Sequence, residues 1–156
     1  MNIDIRLATP EDLPQITSLN KKLFLHESHY DQTYNSNWPE SATGQKYFRD
    51  SIKKGIVLVS HKTETPNEII AYLCGNWDNY SFRLPNPIFE IENMYVSKDF
   101  QKQGLGTLLI KKLQKRLLSK NIKRIRVSTI IKNKAAQSFY KKLSFQEHEL
   151  TFEKSL

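Results

Sequence analysis

The segment that decides the fold is Phe100-Gln101-Lys102-Gln103-Gly104-Leu105-Gly106-Thr107. It lies between a predicted strand over 88–96 and the most clearly amphipathic predicted helix of the chain, over 104–120. Two glycines at a strand-to-helix junction allow a tight turn and leave backbone N–H groups unshielded at the positive end of the helix dipole. The junction is therefore predicted to hold an anion, with Lys102 adding a positive charge and Thr107 a hydroxyl donor.

Two other glycine-rich phosphate motifs do not fit this junction. A Rossmann fingerprint requires a third glycine where Leu109 stands, and a P-loop requires a Gly-Lys-Ser/Thr sequence that this segment lacks. Glycines at a helix start can also serve the turn alone. The motif by itself therefore leaves both an anion site and a plain turn open.

The positive charge of the chain is concentrated around the same junction. The formal net charge is +8, and residues 98–142 contain 14 Lys or Arg against one acid, Asp99. Residues 1–97 contain nine basic and twelve acidic side chains. A solvated lysine-rich helix face would produce these counts, and so would a protein that binds an anion on one side and a cation on the other.

Hydrophobic periodicity predicts an α/β fold, as a single domain over 1–156 with a mixed central sheet flanked by helices on both faces. Polar segments over 26–43 and 76–87 show neither period and are predicted to be loops, the first with room for a short helix; loops this long tend to be functional. The predicted elements are strand 3–7, a helix after Thr9, helix 45–54, strands 56–60 and 69–75 with a turn at 65–67, strand 88–96, helix 104–120, strand 125–129, helix 135–142 and strand 145–152.

Composition argues against several classes of protein. The longest apolar run, Ile56-Val57-Leu58-Val59, is far shorter than the roughly 18 residues of a membrane span, and the N-terminus lacks a secretory signal pattern. Cys74 is the only cysteine, so no internal disulfide forms, and its strand context predicts a buried side chain rather than a nucleophile. We expect a cytoplasmic protein without a membrane partner. No metal is expected from the four histidines, His26, His29, His61 and His148.

Four segments resemble one enzyme family. Residues 101–106 are similar to the Gln/Arg-x-x-Gly-x-Gly/Ala signature of the GNAT superfamily of acetyl-CoA-dependent N-acetyltransferases, and 90–96 resemble its central strand. Residues 133–145 resemble its Asn-x-x-Ala-x-x-Phe-Tyr-x-x-x-Gly-Phe segment, and 5–12 its opening strand and helix. One departure is Ser144, where the family usually has Gly; it predicts a left-handed residue or a different turn.

The resemblance implies acetyl-CoA as the acetyl donor. In the family, the loop amides hold the CoA pyrophosphate, main-chain groups of the central strand pair with the pantetheine arm, and the next strand splays away near Thr129. Asn133 is expected to cap the last helix and to contact the cofactor. The expected cofactor-binding residues are Met94, Tyr95, Val96, Gln101, Lys102, Gln103, Gly104, Leu105, Gly106, Thr107, Thr129, Asn133 and Tyr140.

Acetyl transfer to an amine requires a deprotonated nucleophile, stabilisation of the oxyanion in a tetrahedral intermediate, and a proton for the leaving thiolate. An amine of pKa ~10.4 is deprotonated only about once in 10³ at neutral pH. Glu92 is the favoured base or water-holder and Glu90 the second choice, because an unbulged strand aims both at one face; two merely exposed acids are the alternative. The resemblance implies a backbone N–H near Tyr95 as the oxyanion donor and Tyr140 as the acid.

The acceptor is predicted to be a primary amine, either a small cationic amine or a protein amino group. The two polar loops should border its pocket, and the family's frequent dimerisation makes a homodimer a further expectation. Two alternatives stay open: a nucleic-acid-binding module that uses the basic 111–142 stripe, and a non-catalytic acyl-CoA-binding domain. The stripe lacks interleaved aromatic residues, so no nucleic-acid partner is expected. The candidate acceptor-binding residues are Glu27, Asp31, Trp38, Trp77 and Asp78.

Overall fold

A mixed β-sheet lies at the centre of the molecule, in a computed structural model that describes residues 2–79 and 81–156. Its strands are β1 (Ile3–Leu7), β2 (Ile56–Lys62), β3 (Thr65–Asp78), β4 (Ile88–Val96) and β5 (Ile125–Val127). They lie side by side in sequence order. The pairs from β1 to β4 are antiparallel, and β5 runs parallel to β4. The predicted mixed sheet is confirmed.

Helices cover both faces of the sheet, as predicted. They are α1 (Leu13–Glu27), α2 (Ala42–Lys54), α3 (Leu105–Leu118) and α4 (Lys134–Lys142). None of the helices in residues 2–79 and 81–156 combines the length and the apolar composition that a membrane crossing requires.

Alternating residues of β2 divide the core into two clusters. Val57 and Val59 pack with side chains of α1 and α2, whereas Leu58 packs with side chains of α3. Because neighbouring residues of a strand point to opposite faces, α1 and α2 cover one face and α3 covers the other. Leu109 and Leu113 of α3 are fully buried, and burial of each such side chain stabilises the fold by about 1.5–3 kcal/mol.

The first predicted loop is shorter than the sequence indicates. Helix α1 continues to Glu27, and α2 begins at Ala42 rather than at residue 45. Ser41 explains the earlier start, because its Oγ accepts a hydrogen bond from the Gly44 N–H at 3.1 Å and caps the helix. The short helix expected within the loop is a single 3-10 turn, Trp38–Glu40.

The β2–β3 turn was predicted around residues 65–67, and that prediction is wrong. The turn lies at residues 63–64, and β3 already begins at Thr65. The pairs are Lys62 with Thr65 and His61 with Ile69, so residues 66–68 form an insertion in the ladder. Pro66 lies in this insertion, where its missing N–H costs no ladder hydrogen bond. At the other end β3 extends to Asp78, which shortens the second predicted loop.

The predicted last strand, 145–152, is also wrong: residues 145–156 form no strand. The segment contacts β5 and the residue before it through side chains, with Arg126 Nη1 at 3.8 Å from Glu149 Oε2 and Arg124 Nη2 at 2.9 Å from His148 Nε2. Leu150 is 62% exposed, so the apolar alternation that predicted a strand does not face a core here. Without a buried face, the alternation alone does not produce a ladder.

Candidate active site

The turn before α3 has the geometry predicted for an anion site. Gly104 has φ +83°, and no atom lies within 4 Å of the position that a Cβ would occupy. The first hydrogen bond of α3 runs from the Leu108 N–H to the Gly104 carbonyl at 3.0 Å. The amides of residues 105–107 therefore precede the helical hydrogen bonds and have no acceptor inside the helix. An open left-handed glycine and these amides suit a bound phosphate.

Two glutamines stabilise this turn with their side chains. Gln101 Nε2 donates to the Val96 carbonyl and Gln103 Nε2 donates to the Asp99 carbonyl, both at 2.8 Å. Their side-chain amides therefore hold the loop in shape. The amides of residues 105–107, together with Lys102 and the Thr107 hydroxyl, are the donors that this loop offers to a ligand.

Gly106 joins three parts of the site. A Cβ on this residue would lie 3.2 Å from Phe139 Cζ in α4 and 3.9 Å from Met94 Cε in β4. Its missing side chain thus lets α4 approach the start of α3. The candidate acid, Tyr140, is the next residue on this helix.

The central strand opens beside this glycine. The pairing of β4 with β5 ends at Ile91 and Val127, although β4 continues to Val96. In the described residues, the outer edge of β4 therefore has no strand partner over 92–96, the stretch that contains Met94, Tyr95 and Val96. Strand β5 was predicted to reach residue 129; it ends two residues earlier, and Thr129 is exposed.

A β-bulge in β4 lies at the same point. Asn93 pairs with Cys74 and Ile91 pairs with Gly75, so Glu92 is an extra residue on β4. Glu92 Oε2 accepts hydrogen bonds of 2.5 Å from the Tyr47 hydroxyl and from Asn76 Nδ2. Glu92 is exposed.

The second candidate base, Glu90, lies in an ion-pair cluster. Arg126 Nη2 is 2.6 Å from Glu90 Oε2 and 3.0 Å from Asp78 Oδ2. Glu90 pairs across the ladder with Asn76, whose side chain also bonds Glu92, so both glutamates lie on the α2 face despite the bulge. The predicted common face is confirmed, and the two carboxylates differ in their partners.

The end of α1 meets the start of α4 at a third cluster. Asn133 Oδ1 accepts the Ala136 N–H at 3.0 Å and caps α4, and Asn133 Nδ2 donates to Glu27 Oε1 at 3.0 Å. Burial raises the pKa of Glu27. Burial, with a smaller contribution from the negative charge of Glu27, raises the pKa of Tyr140 to about 12. Ser144, after α4, has φ +65°, which confirms the left-handed alternative predicted for this position.

The five candidate acceptor residues are dispersed. Glu27 is next to Asn133, and the Trp38 ring lies 5.5 Å from the ring of Tyr47, which binds Glu92. Asp78 belongs to the Arg126 cluster with Glu90. Two of the five are engaged elsewhere: Asp31 accepts from the N–H and hydroxyl of Thr33, and Trp77 Nε1 donates to the Lys54 carbonyl at 3.1 Å.

Sequence reasoning missed three residues of the site, Tyr47, Asn76 and Asn93. Tyr47 lies 45 positions from Glu92 along the chain, and no spacing rule relates them. The only available signal was the possibility of a bulge in β4, which would move side chains between faces. The expectation for Cys74 is confirmed, because it is fully buried and burial raises its pKa to about 11.

Known proteins share both sequence and fold with this chain. The sequence model described as the Acetyltransferase (GNAT) family matches residues 23–145. An uncharacterized N-acetyltransferase of Methanocaldococcus jannaschii is 28% identical over 149 residues, which are 94% of this chain; the chain spans 62% of the length of that relative.

Two solved structures have the same fold. A tetramutant of the BH1408 protein from Bacillus halodurans matches with a TM-score of 0.83 at 20% identity, over 98% of this chain and 99% of that one. The aminoglycoside N-acetyltransferase AAC(6')-Iy in complex with CoA matches with a TM-score of 0.74 at 14% identity, over 99% and 95%. Because the family model covers more than half of the residues, this chain belongs to the Acetyltransferase (GNAT) family.

Proposed function

We propose that this protein transfers the acetyl group of acetyl-CoA directly to a primary amine, with Glu92 as base or water-holder and Tyr140 as acid. The observation that carries the proposal is the position of Gly106. At this residue the start of α3 lies beside Phe139 of α4 and near Met94 on the open edge of β4. Those are the three parts that a CoA-dependent transfer needs together: a diphosphate site, an edge for the pantetheine arm and an acid.

The residues of the turn fit a CoA diphosphate. The open Gly104 and the amides of 105–107 would bind the phosphates, with Lys102 and the Thr107 hydroxyl beside them. Main-chain groups of Met94–Val96 would pair with the amides of the pantetheine arm, with Thr129 and Asn133 near the thioester end. When bound, acetyl-CoA supplies the acetyl group and the leaving thiolate. The related aminoglycoside enzyme, whose structure contains CoA, supports this assignment.

Glu92 is better suited than Glu90 to accept a proton. Arg126 Nη2 holds Glu90 Oε2 in an ion pair at 2.6 Å, so the carboxylate of Glu90 is already engaged with a cation. The hydrogen-bond donors to Glu92 are the neutral Tyr47 and Asn76. Deprotonating a lysine-like amine at neutral pH costs roughly 4–5 kcal/mol, which an exposed carboxylate or a water bound to it offsets.

Tyr140 is suited to the opposite role. A phenol with a pKa of about 12 stays protonated at neutral pH, so Tyr140 has a hydrogen to donate to the departing sulfur. Asn133 fixes the start of the helix that carries it. A backbone N–H near Tyr95 would stabilise the oxyanion.

The acceptor that this site favours is a cationic primary amine, small or on a protein. Glu27 supplies a negative charge near Tyr140, and Trp38 supplies an aromatic face near Glu92, which together attract an ammonium group. Asp31, Trp77 and Asp78 would contribute at the edges of the pocket. The similar fold of AAC(6')-Iy, which is an aminoglycoside N-acetyltransferase, supports an acceptor of this class.

The proposal is tested by a screen of primary amines for acetylation, with release of the CoA thiol as the readout. Glu92→Gln and Tyr140→Phe should each lower kcat by about 10²–10⁴-fold on an accepted amine. Glu64→Gln, in the exposed β2–β3 turn, is the control and should retain activity. CoA at about 100 times its Kd should stabilise the protein by about 2.7 kcal/mol. Unchanged rates in both site variants, or no stabilisation by CoA, would refute the assignment.

A further inference from the structure

We propose that Tyr47 is a positioning residue that holds Glu92 by Oε2 and leaves Oε1 to take the proton of the acceptor amine or of a water molecule. This inference rests on the proposed function. Tyr47 acts only through Glu92, and its role is to orient the base rather than to contact the reacting atoms.

The hydrogen bonds to Glu92 are all on one oxygen. The Tyr47 hydroxyl and Asn76 Nδ2 both donate to Oε2 at 2.5 Å. Within residues 2–79 and 81–156, Oε1 receives no hydrogen bond. Bonds from neutral donors to a carboxylate are among the stronger protein hydrogen bonds, so this pair fixes the rotation of the group. The unoccupied oxygen keeps its full acceptor capacity.

The direction of the Tyr47 hydroxyl is set by a chain of amides. Asn20 Nδ2 donates to Asn93 Oδ1 at 3.0 Å, and Asn93 Nδ2 donates to the Tyr47 oxygen at 2.8 Å. A phenol has one hydrogen. The Tyr47 oxygen accepts from Asn93, and its one hydrogen has two neighbouring acceptors, Glu92 Oε2 at 2.5 Å and Cys74 Sγ at 3.6 Å. The shorter contact, to a carboxylate oxygen rather than to a weakly accepting sulfur, directs this hydrogen at Glu92. Burial raises the pKa of Tyr47, so this hydrogen is retained at neutral pH.

The bulge explains how one phenol contacts two consecutive residues. In a regular strand, the side chains of Glu92 and Asn93 would point to opposite faces of the sheet. Both residues lie opposite Cys74 at the bulge, and both side chains reach Tyr47 on α2. The bulge therefore places the base and the residue that orients its donor on the same face.

Replacing Tyr47 by Phe removes the hydroxyl and keeps the ring, which packs against Trp38 and Phe48. Glu92 would then hold a single donor, Asn76, and its carboxylate would rotate more freely. We expect kcat to fall by about 10- to 100-fold, as for other hydrogen bonds to charged groups, with little change in the KM of the amine.

The experiment measures kcat and the KM of the amine for Tyr47→Phe, Glu92→Gln and the double variant. If Tyr47 acts through Glu92, the Tyr47 change has little further effect in the Glu92→Gln background. Tyr72→Phe is the matched control: Tyr72 is fully buried and, within residues 2–79 and 81–156, its hydroxyl accepts only from Asn20, a side branch of the amide chain. This control should lower stability but leave kcat and the KM of the amine in place. Unfolding free energies of all variants separate misfolding from loss of activity.

An equal loss of kcat from the Tyr47 change in both backgrounds would overturn the inference, as would a rise in the KM of the amine with kcat unchanged. These results differ from a failure of the proposed function. If Glu92→Gln is fully active, Glu92 is not the base, and the proposed mechanism falls first. If Glu92→Gln is inactive and Tyr47→Phe resembles the unmodified protein, only the role of Tyr47 is refuted.

Discussion

Asn133 performs two tasks that can be separated by mutation. Its Oδ1 caps α4 by accepting the Ala136 N–H, and its Nδ2 donates to Glu27, each at 3.0 Å. Asn133→Ser keeps a capping hydroxyl and removes the donor to Glu27. Asn133→Asp also keeps a capping oxygen, but it directs a second carboxylate at Glu27.

The size of the effect follows from the 3.0 Å separation of Asn133 Nδ2 and Glu27 Oε1. Two unit negative charges at this distance repel by about 1.4 kcal/mol in water and about 5.5 kcal/mol at an effective dielectric constant of 20. Glu27 is half-buried, so solvent screening keeps the result near the lower value. We expect Asn133→Asp to be about 1–3 kcal/mol less stable than Asn133→Ser at neutral pH.

The deficit should depend on pH with a defined sign. Burial already raises the pKa of Glu27, so its ionisation destabilises the folded state as pH rises through the folded pKa. A second carboxylate at position 133 raises this pKa further. The difference between the two variants should therefore be largest above the folded pKa of Glu27 and should diminish below it, where Glu27 is protonated.

Urea unfolding at about pH 8 and about pH 5 measures this difference, with the unmodified protein as reference. For a chain of this size, each kcal/mol also lowers Tm by about 2–4 °C. The reasoning is refuted if the two variants are equally stable at about pH 8, or if the deficit of Asn133→Asp is the same at both pH values. Either result would mean that Glu27 does not accept from Asn133 in solution.

Three further predictions concern stability and reactivity. Burial alone would raise the pKa of Asp12, but hydrogen bonds from Arg6 and the Thr9 N–H outweigh burial and lower this pKa. The stability that the charged Asp12 contributes is therefore lost as pH falls through its pKa in the folded protein. Asp12→Asn should flatten this pH dependence of the unfolding free energy in acid unfolding curves. Cys74, whose pKa burial raises to about 11, should react with an aromatic disulfide reagent only after unfolding, so rapid labelling of the native protein would contradict its buried position. Gly104→Ala should lower the free energy of unfolding by about 1–2 kcal/mol because of the φ of +83° alone, since the new methyl group meets no atom. An unchanged free energy of unfolding would disprove the left-handed turn.

Local patterns predicted the parts of the fold that local chemistry controls. The bounds of β4 followed from residue types and spacing within a few positions. The left-handed Ser144 was one of two alternatives that the departure from the family's usual Gly left open. The start of α2 was missed, although Ser41 carries a capping signal, because the polar stretch before it has no periodicity. The strand over 145–152 was predicted wrongly, since an alternation describes a face but not whether a core lies beneath it.

The sequence by itself determined the glycine turn at Gly104, the helix that carries Tyr140 and the common face of the two glutamates of the central strand, because turns, caps and strand faces depend on neighbouring residues. Only the tertiary structure decided how these groups are held. Tyr47 reaches Glu92 across 45 positions, Asn133 reaches Glu27 across 106, and Arg126 pairs with Glu90 across 36. Such pairs depend on the register of the sheet, on the bulge at Glu92 and on how the helices pack, and these result from the sum of contacts over the whole chain.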